Sequence, residues 1–141
     1  MPSTLSAAIS ASASALAAQK TRVEVAVSNI ANAESTRGTN GEPYRRRDVV
    51  LEADQGATFD QTLSGAVGVK VAGVVADQSA FQRRYEPGHL DADEDGWVSL
   101  PNIETSVEMV DMMSASRAYQ ANLAAIGIIR DMLNRSLDLA K

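Results

Sequence analysis

Apolar residues recur at intervals of three and four along the last forty residues of the chain, from Asn102 to Lys141. Because this spacing aligns side chains on one side of an α-helix, it predicts a helix over about residues 103–139. The stretch contains no proline, and Gly127 is its only glycine. At 1.5 Å per residue the helix is roughly 55 Å long, which is too long for one small domain to bury. It therefore needs partner helices, from the same chain or from other subunits.

Two apolar stripes run along this predicted helix. The first, interpreted as the main packing seam, consists of Met109, Met112, Ser116, Tyr119, Leu123, Ile126, Arg130, Leu133, Leu137 and Ala140. The second, which lies beside it, consists of Val107, Val110, Ser114, Ala118, Ala121, Ala125, Ile128 and Met132. Together the two stripes make the apolar surface wide, which again indicates a helix that needs partners.

A second long helix is predicted over residues 5–33, where large apolar residues recur every seven positions, as is typical of a coiled-coil strand. These residues are Ile9, Leu16, Val23 and Ile30. Ser12 and Gln19 lie in the same seam, and the first half is almost all alanine and serine, so the helix gains little from its own burial. Alanine-rich helices pack closely, which favours helix-on-helix contact over a thick globular core.

A small β-rich module is predicted between the two helices. Alternation of apolar and polar residues predicts strands over 44–53 and 67–76, and two shorter strands are predicted over 81–85 and 96–100, on either side of the Pro87-Gly88 turn. The third strand is expected to pair with the second. Residues 54–66 are rich in Gly, Ser, Asp and Gln and are predicted to be a surface loop. The predicted fold class is therefore α+β.

Composition and charge exclude several classes of function. The formal charge is −5, which gives no electrostatic case for binding nucleic acid or an anionic membrane. The absence of cysteine excludes disulfides, thiolate metal sites and a cysteine nucleophile. Apolar runs are short, so no segment is expected to insert in a membrane. The first thirty residues lack the features of a cleavable signal, so export would need another route.

The acidic segment at residues 91–98 is the sharpest local motif. Asp91, Asp93 and Asp95 occupy positions one, three and five of a possible calcium loop, followed by a glycine and an apolar residue at position eight. Position twelve is Asn102 instead of a bidentate glutamate, and no helix precedes the loop. A solvated hairpin turn is therefore the favoured interpretation. The alternative is a calcium-binding module with helical oligomerisation arms.

The sequence contains no catalytic constellation. His89 is the only histidine, and its position beside a Pro-Gly turn is typical of a structural residue. There is no nucleophile motif, phosphate-binding glycine loop or HExxH zinc motif. We therefore expect no enzymatic activity and no cofactor.

Six of the basic residues in the β-rich module could form one patch: Arg45, Arg46, Arg47, Lys70, Arg83 and Arg84. They either keep exposed strand faces soluble or contact an acidic neighbouring subunit. The sequence leaves both interpretations open.

Several short motifs together resemble a known family. They are SNIANA at 28–33, PYRR at 43–46, YEPGH at 85–89, GWV at 96–98, PN at 101–102, EMVDM at 108–112 and SRAYQAN at 116–122. The first and last are similar to motifs in the terminal helices of bacterial flagellar axial proteins, which form the rod and hook. The middle motifs and the short length resemble the C-type family of proximal-rod proteins. The resemblance covers nearly the whole chain.

The resemblance implies that the two terminal helices pair as an antiparallel coiled coil. This gives a discontinuous helical domain of residues 1–33 and 102–141, with residues 34–101 inserted as the β-rich module. It further implies helical assembly with itself and other rod subunits into a hollow proximal rod that transmits torque and conducts exported subunits. The resemblance also implies that the flagellar type III apparatus exports the chain without a cleavable signal peptide. It places the chain in the periplasm-spanning basal-body rod.

Two sets of residues are expected at the assembly interface. The resemblance carries over the motif positions Asn29, Asn32, Arg117, Tyr119, Gln120 and Asn122. The helical periodicity adds Ile9, Leu16, Val23, Ile30, Met109, Met112, Leu123, Ile126, Leu133 and Leu137. Polar residues within an apolar helical seam fix one register among similar packings, at some cost in stability.

Overall fold

A computed structural model of the chain describes residues 4–38, 40–54 and 67–139. The elements are α1 (Thr4–Ala31), β1 (Arg47–Ala53), β2 (Val69–Ala76), β3 (Gln82–Tyr85), β4 (Trp97–Leu100) and α2 (Thr105–Leu139). The predicted α+β class is confirmed, because two long terminal helices enclose a small β module. The loop predicted over 54–66 lies outside the described residues except for Asp54.

The two helices pack against each other and run antiparallel. Asn29, in the last turn of α1, contacts Glu108, in the first turn of α2. Two turns earlier in α1, Arg22 pairs with Asp111, one turn further along α2. α1 also contacts β1 and β2, so it lies between α2 and the first sheet. The shorter helix is therefore covered on two sides, whereas α2 has only one helix beside it among the described residues.

The burial of α2 differs from the predicted seam at every second position. A row of buried and half-buried residues follows the spacing of four and three: Glu108, Met112, Ala115, Tyr119, Asn122, Ile126, Ile129 and Leu133. The predicted seam shares only half of this row. Leu123 is 54% exposed, while the neighbouring Asn122 is half-buried. Apolar character alone did not predict which residues of α2 are buried. A close contact between helices favours a small residue such as Ala115, and Glu108 can be buried because its carboxylate is hydrogen-bonded.

The seam of α1 is also built from small residues. Ala18 and Ala26 are buried, and Asn29 is the third fully buried residue of the helix. The predicted heptad residues Ile9, Leu16, Val23 and Ile30 are all half-buried. Small side chains at the closest points let the helix axes approach, and the larger residues then pack along the flanks.

Two separate antiparallel hairpins form the β module. β1 pairs with β2, with an irregularity in register between Val50 and Leu51. β3 pairs with β4 instead of β2, so the predicted pairing of residues 81–85 with residues 67–76 was wrong. Each sheet therefore has two strands that pair only with each other. The eleven residues between β3 and β4 form the turn that brings these two strands together.

The first sheet is fastened to α1 at one close point. The Ser14 hydroxyl accepts a hydrogen bond from the backbone N–H of Val69 at 3.0 Å and donates one to the carbonyl of Ala11 at 2.8 Å. A Cβ added at Gly68 would lie 2.9 Å from the Ser14 oxygen. Glycine therefore allows the segment just before β2 to approach the Ser14 side chain of α1 closely.

No helix among the described residues is both long enough and apolar enough to cross a lipid bilayer.

Candidate assembly interface

A buried polar cluster joins α1, β1 and α2. We call it the polar junction and define it as Asn29, Tyr44, Arg46, Arg47 and Glu108. The amide nitrogen of Asn29 donates to Glu108 Oε2 and to the Arg47 carbonyl, both at 2.9 Å. Its amide oxygen accepts from the Arg47 backbone N–H at 3.0 Å and from the Tyr44 hydroxyl at 3.1 Å. One side chain thus satisfies the backbone at the start of β1 and holds it against both helices.

Glu108 is the electrostatic centre of the polar junction. Its side chain is 2% exposed, and its Oε1 accepts a hydrogen bond from Arg46 Nε at 2.6 Å. Burial lowers the pKa of Arg46, but the bonds to Glu108 and Asp48 outweigh this effect and raise the pKa above its ordinary value. Glu108 also lies in the first turn of α2, where the helix dipole favours a negative charge. The negative charge of the Glu108 carboxylate is therefore stabilised by the Arg46 guanidinium and by the N-terminal end of the α2 dipole.

The outward face of α2 carries several large apolar side chains that the described part of the chain leaves exposed. Four of these residues belong to the second predicted stripe: Val107, Val110, Ile128 and Met132. Val110 and Ile128 are 62% and 61% exposed. Met109, Leu123 and Leu137 form a further exposed row on another side of the helix. Large apolar side chains are therefore exposed along most of the length of α2.

An open groove of about 800 Å³ lies where α1, β1 and the first turns of α2 meet. We call it the junction groove. Its apolar walls are Val25, Val49, Leu51, Val107 and Val110. Charged residues of the polar junction and the Arg22–Asp111 ion pair border it. The groove opens onto the N-terminal end of the exposed stripe, because Val107 and Val110 belong to both.

The structure distributes the predicted interface residues over different environments. Half-buried residues are Ile9, Leu16, Val23, Ile30, Asn32, Met112, Tyr119, Asn122, Ile126 and Leu133. Exposed residues are Met109, Arg117, Gln120, Leu123 and Leu137. Asn29 is buried and bonded within the chain, and Asn32 and Asn122 each donate to a carbonyl four residues earlier in the same helix. The exposed group is the part of the set that is free to contact another molecule.

The acidic loop does not assemble the predicted calcium ligands. Asp91 pairs with Arg37 at 2.7 Å, and Asp93 pairs with Arg83. Asp93 Oδ1 also accepts the backbone N–H groups of Asp95 and Trp97. Across residues 4–38, 40–54 and 67–139, no three acidic or histidine side chains lie close enough together to hold a metal ion. The loop is a hairpin turn organised by Asp93, as the favoured interpretation predicted.

The comparisons with known proteins agree on one family. The model described as flagella basal body rod protein matches residues 9–38, and that of the flagellar basal body rod FlgEFG protein C-terminal region matches residues 94–139. The flagellar basal-body rod protein FlgC of Salmonella typhimurium is 44% identical over 128 residues, 91% of this chain and 92% of that protein. FlgC of Bacillus subtilis is 39% identical over 145 residues, 94% of this chain and 96% of that protein. The chain belongs to the FlgC family of flagellar basal-body rod proteins.

Membership of the FlgC family confirms the resemblance drawn from the short motifs. The two matched regions correspond to the two helices: residues 9–38 cover most of α1, and residues 94–139 cover β4 and α2. FlgC of Borreliella burgdorferi, at 35% identity, still aligns over 94% of this chain and 95% of that protein. The similarity to FlgC proteins therefore includes the β module as well as the helices.

The basic residues of this FlgC-family chain are mostly paired within it. Arg46 binds Glu108 and Asp48, Arg83 binds Asp93, and Arg84 contacts Glu86 at 2.7 Å. Lys70 lies 4.0 Å from Glu52 across the first hairpin. Arg47 differs from these residues, because within the described ranges its guanidinium has an aromatic neighbour, Tyr44, and no carboxylate. The six residues therefore do not form a single unpaired basic patch.

Sequence reasoning missed the polar junction. The sequence pattern singles out Glu108 only as part of a family motif, and Arg46 only as part of the PYRR motif and as one of several basic residues. A partial signal was present, because residues 108, 112, 115 and 119 also follow the four-and-three spacing, although the apolar pattern favoured the register that begins at Met109. An acidic residue in that register needs a buried cationic partner, and the three consecutive arginines at 45–47 are candidates.

Proposed function

We propose that this chain is a structural subunit of the flagellar basal-body rod. Copies of it assemble helically, with one another and with other rod subunits, into the hollow proximal rod. The rod transmits torque to the hook and conducts subunits exported by the flagellar type III apparatus, which also exports this chain without a cleavable signal. Its place is the periplasm-spanning rod, and it acts by mechanical contact without catalysis.

The observation that carries this proposal is the exposed apolar face of α2. Buried apolar surface stabilises a contact by roughly 25 cal/mol per Å². A single chain leaves Val110, Ile128, Leu123 and Leu137 each more than half exposed, so this stabilisation is gained only when another molecule covers them. The paired helices then form a coiled-coil domain of the assembly, with residues 34–101 as the inserted module.

The polar junction gives the subunit the stiffness that a torque-bearing rod requires. Apolar contacts alone let helices slide, because they are not directional. The hydrogen bonds of Asn29 and the ion pair of Glu108 with Arg46 have fixed geometry, and they join three elements at one point. Twisting the β module relative to the helices would break several of these bonds together.

The test exploits two neighbouring apolar residues of α2 that differ in exposure. Leu123 is 54% exposed, and Ile126 is half-buried. We expect Leu123→Asp to leave urea unfolding of the purified chain nearly unchanged but to block incorporation into basal bodies and abolish swimming. Ile126→Asp should destabilise the chain itself, because it places an unpaired charge in the helix contact.

The assay is complementation of a strain that lacks its own copy of the protein, with isolation of basal bodies. Ser99→Asp, on the exposed side of β4, serves as the control for adding a charge and should swim normally. A stably folded Leu123→Asp variant that still enters basal bodies and restores swimming would contradict the proposal that the exposed face of α2 is the assembly surface.

A further inference from the structure

We propose that the junction groove receives the C-terminal third of α2 from a second copy of this chain. The inference rests on the proposed rod function and assigns one specific contact within it. The occupant is the ridge formed by Ile128 and Met132, with Asp131 beside them on the same side of the helix. Each copy therefore offers a groove at one end of α2 and a ridge at the other.

The apolar surfaces of the groove and the ridge match. Val49 and Leu51 of β1 line the groove together with Val107 and Val110 of α2, and its volume of about 800 Å³ accommodates several large side chains. Ile128 is 61% exposed and Met132 is 47% exposed, one helical turn apart. The unbranched Met132 side chain can adapt to an irregular wall, while Ile128 supplies a rigid apolar contact.

Charge complementarity favours the same occupant. Arg47 lines the groove, and within the described residues no carboxylate lies in ion-pair distance of it. Beside the ridge, Asp131 likewise has no ion-pair partner among the described residues. Seating Ile128 and Met132 in the groove places Asp131 toward its charged border. The contact then joins Arg47 with Asp131, which removes one unpaired charge from each side.

The arrangement produces an open polymer. The groove and the ridge are different surfaces at opposite ends of one helix, so each copy binds the next head to tail. A head-to-tail contact that does not close into a ring propagates as a helical array. An isologous contact, in which two α2 stripes pair antiparallel and symmetrically, would use the same residues but would stop at a dimer.

Cysteine cross-linking tests the contact cleanly, because the chain contains no cysteine. We would express the double variant Val110→Cys, Ile128→Cys in the complemented strain, isolate basal bodies and oxidise them. Both positions are more than 60% exposed, so neither substitution removes a buried side chain. We expect a ladder of dimers, trimers and longer disulfide-linked chains. The matched control, Val110→Cys with Ser99→Cys, should remain monomeric.

The outcomes separate the contact from the rod function. One outcome is that a reducing gel shows the double variant in basal bodies, and yet oxidation gives no cross-linked species. In that case the rod function stands and the groove contact is overturned. Dimers without longer species, or dimers formed by Ile128→Cys alone, indicate a symmetric contact and also overturn it. In the proposed contact, cysteines at 110 and 128 lie next to each other and are compatible with assembly. If Val110→Cys and Ile128→Cys each enter basal bodies but the double variant never does, the contact is not as proposed.

A charge exchange provides a second test of the same contact. In the double-cysteine background, Arg47→Glu should lower the yield of cross-linked dimer about two- to fivefold, as expected for a partly exposed ion pair. Adding Asp131→Arg to that variant should restore the yield. If Asp131→Arg restores nothing, or if Arg47→Glu has no effect, Arg47 and Asp131 are not partners in the assembled rod.

Discussion

The Asn29 amide nitrogen donates a hydrogen bond to Glu108 Oε2 at 2.9 Å, which joins the last turn of α1 to the first turn of α2. Both side chains are almost completely buried, with exposures of 1% and 2%. The two residues are 79 positions apart, so the bond closes the chain around the β module. Arg46 binds the other oxygen of the same carboxylate and brings the start of β1 to this point. The orientation of helices and module therefore depends on one buried pair.

Removing the carboxylate of Glu108 is expected to destabilise the fold strongly. Glu108→Ala leaves the Arg46 guanidinium without its main partner and should lower the free energy of unfolding by about 3 kcal/mol, the lower end for a broken buried ion pair. The lower end applies because Arg46 is 24% exposed and still contacts Asp48. Urea denaturation monitored by circular dichroism measures the change. Glu94→Gln, at an exposed site in the acidic loop, should shift the transition by less than about 0.5 kcal/mol.

Asn29→Asp tests the direction of the bonds at the same position. The change replaces a donor with a carboxylate that faces both Glu108 and the Arg47 carbonyl, so we expect a loss of at least about 2 kcal/mol in unfolding free energy. Combining it with Glu108→Gln restores one donor–acceptor pair with the roles exchanged, and the double variant should be more stable than the sum of the single losses predicts. Strict additivity would show that the two side chains are not coupled. Asn134→Asp, exposed near the end of α2, is the control.

Replacing two glycines with alanine should change the free energy of unfolding in opposite directions. Gly96 has φ +82, and a Cβ there would lie 3.0 Å from atoms of Pro87 and Tyr85. Gly96→Ala should therefore cost about 1–2 kcal/mol in the β3–β4 hairpin. Gly127 lies within α2 with open space around its Cβ position, so Gly127→Ala should stabilise the chain by up to about 1 kcal/mol. Thermal unfolding of both variants measures the two shifts, and a destabilised Gly127→Ala would contradict this assignment.

Stability should fall on acidification partly through Asp93. The hydrogen bond from the Trp97 backbone N–H lowers the pKa of Asp93 against an opposing effect of desolvation, and Arg83 adds to the lowering. A pKa lower in the folded chain than the ordinary value of 3.8 means that the carboxylate stabilises the hairpin above that value. The contribution is lost as the pH falls below about 4, through the lowered pKa.

The expected measurement is a smaller difference in stability between pH 5 and pH 2.5 for Asp93→Asn than for the parent chain. Asp77, whose pKa is lowered by hydrogen bonds from Ser79, contributes in the same direction and remains in both proteins. Glu94→Gln should leave the loss of stability between pH 5 and pH 2.5 the same as in the parent chain. An identical pH dependence for Asp93→Asn and the parent would show that the Asp93 carboxylate has no part in acid stability.

The elements with strong periodicity were predictable from the sequence. Both helices and all four predicted strands lie within a few residues of their predicted ranges. The helices and the strand at Val69–Ala76 were predictable because apolar residues recur in them with the period of a helix or of a strand. Strand pairing was not predictable to the same degree. Residues 81–85 contain three consecutive polar residues and therefore favour neither neighbouring strand, and the turn around Asp93 and Gly96 brings them to β4.

The amino-acid sequence by itself determined the α+β class, the helix lengths, the turn at the acidic loop and, through its motifs, the protein family. Only the tertiary structure decided which side of α2 is inward, because a helix with apolar residues around most of its circumference fits several registers. Glu108 selects one of them: its carboxylate is tolerated inside only where Asn29 and Arg46 can reach it. Leu123 is left outside for the same reason, and its exposure follows from a polar contact made fifteen residues away.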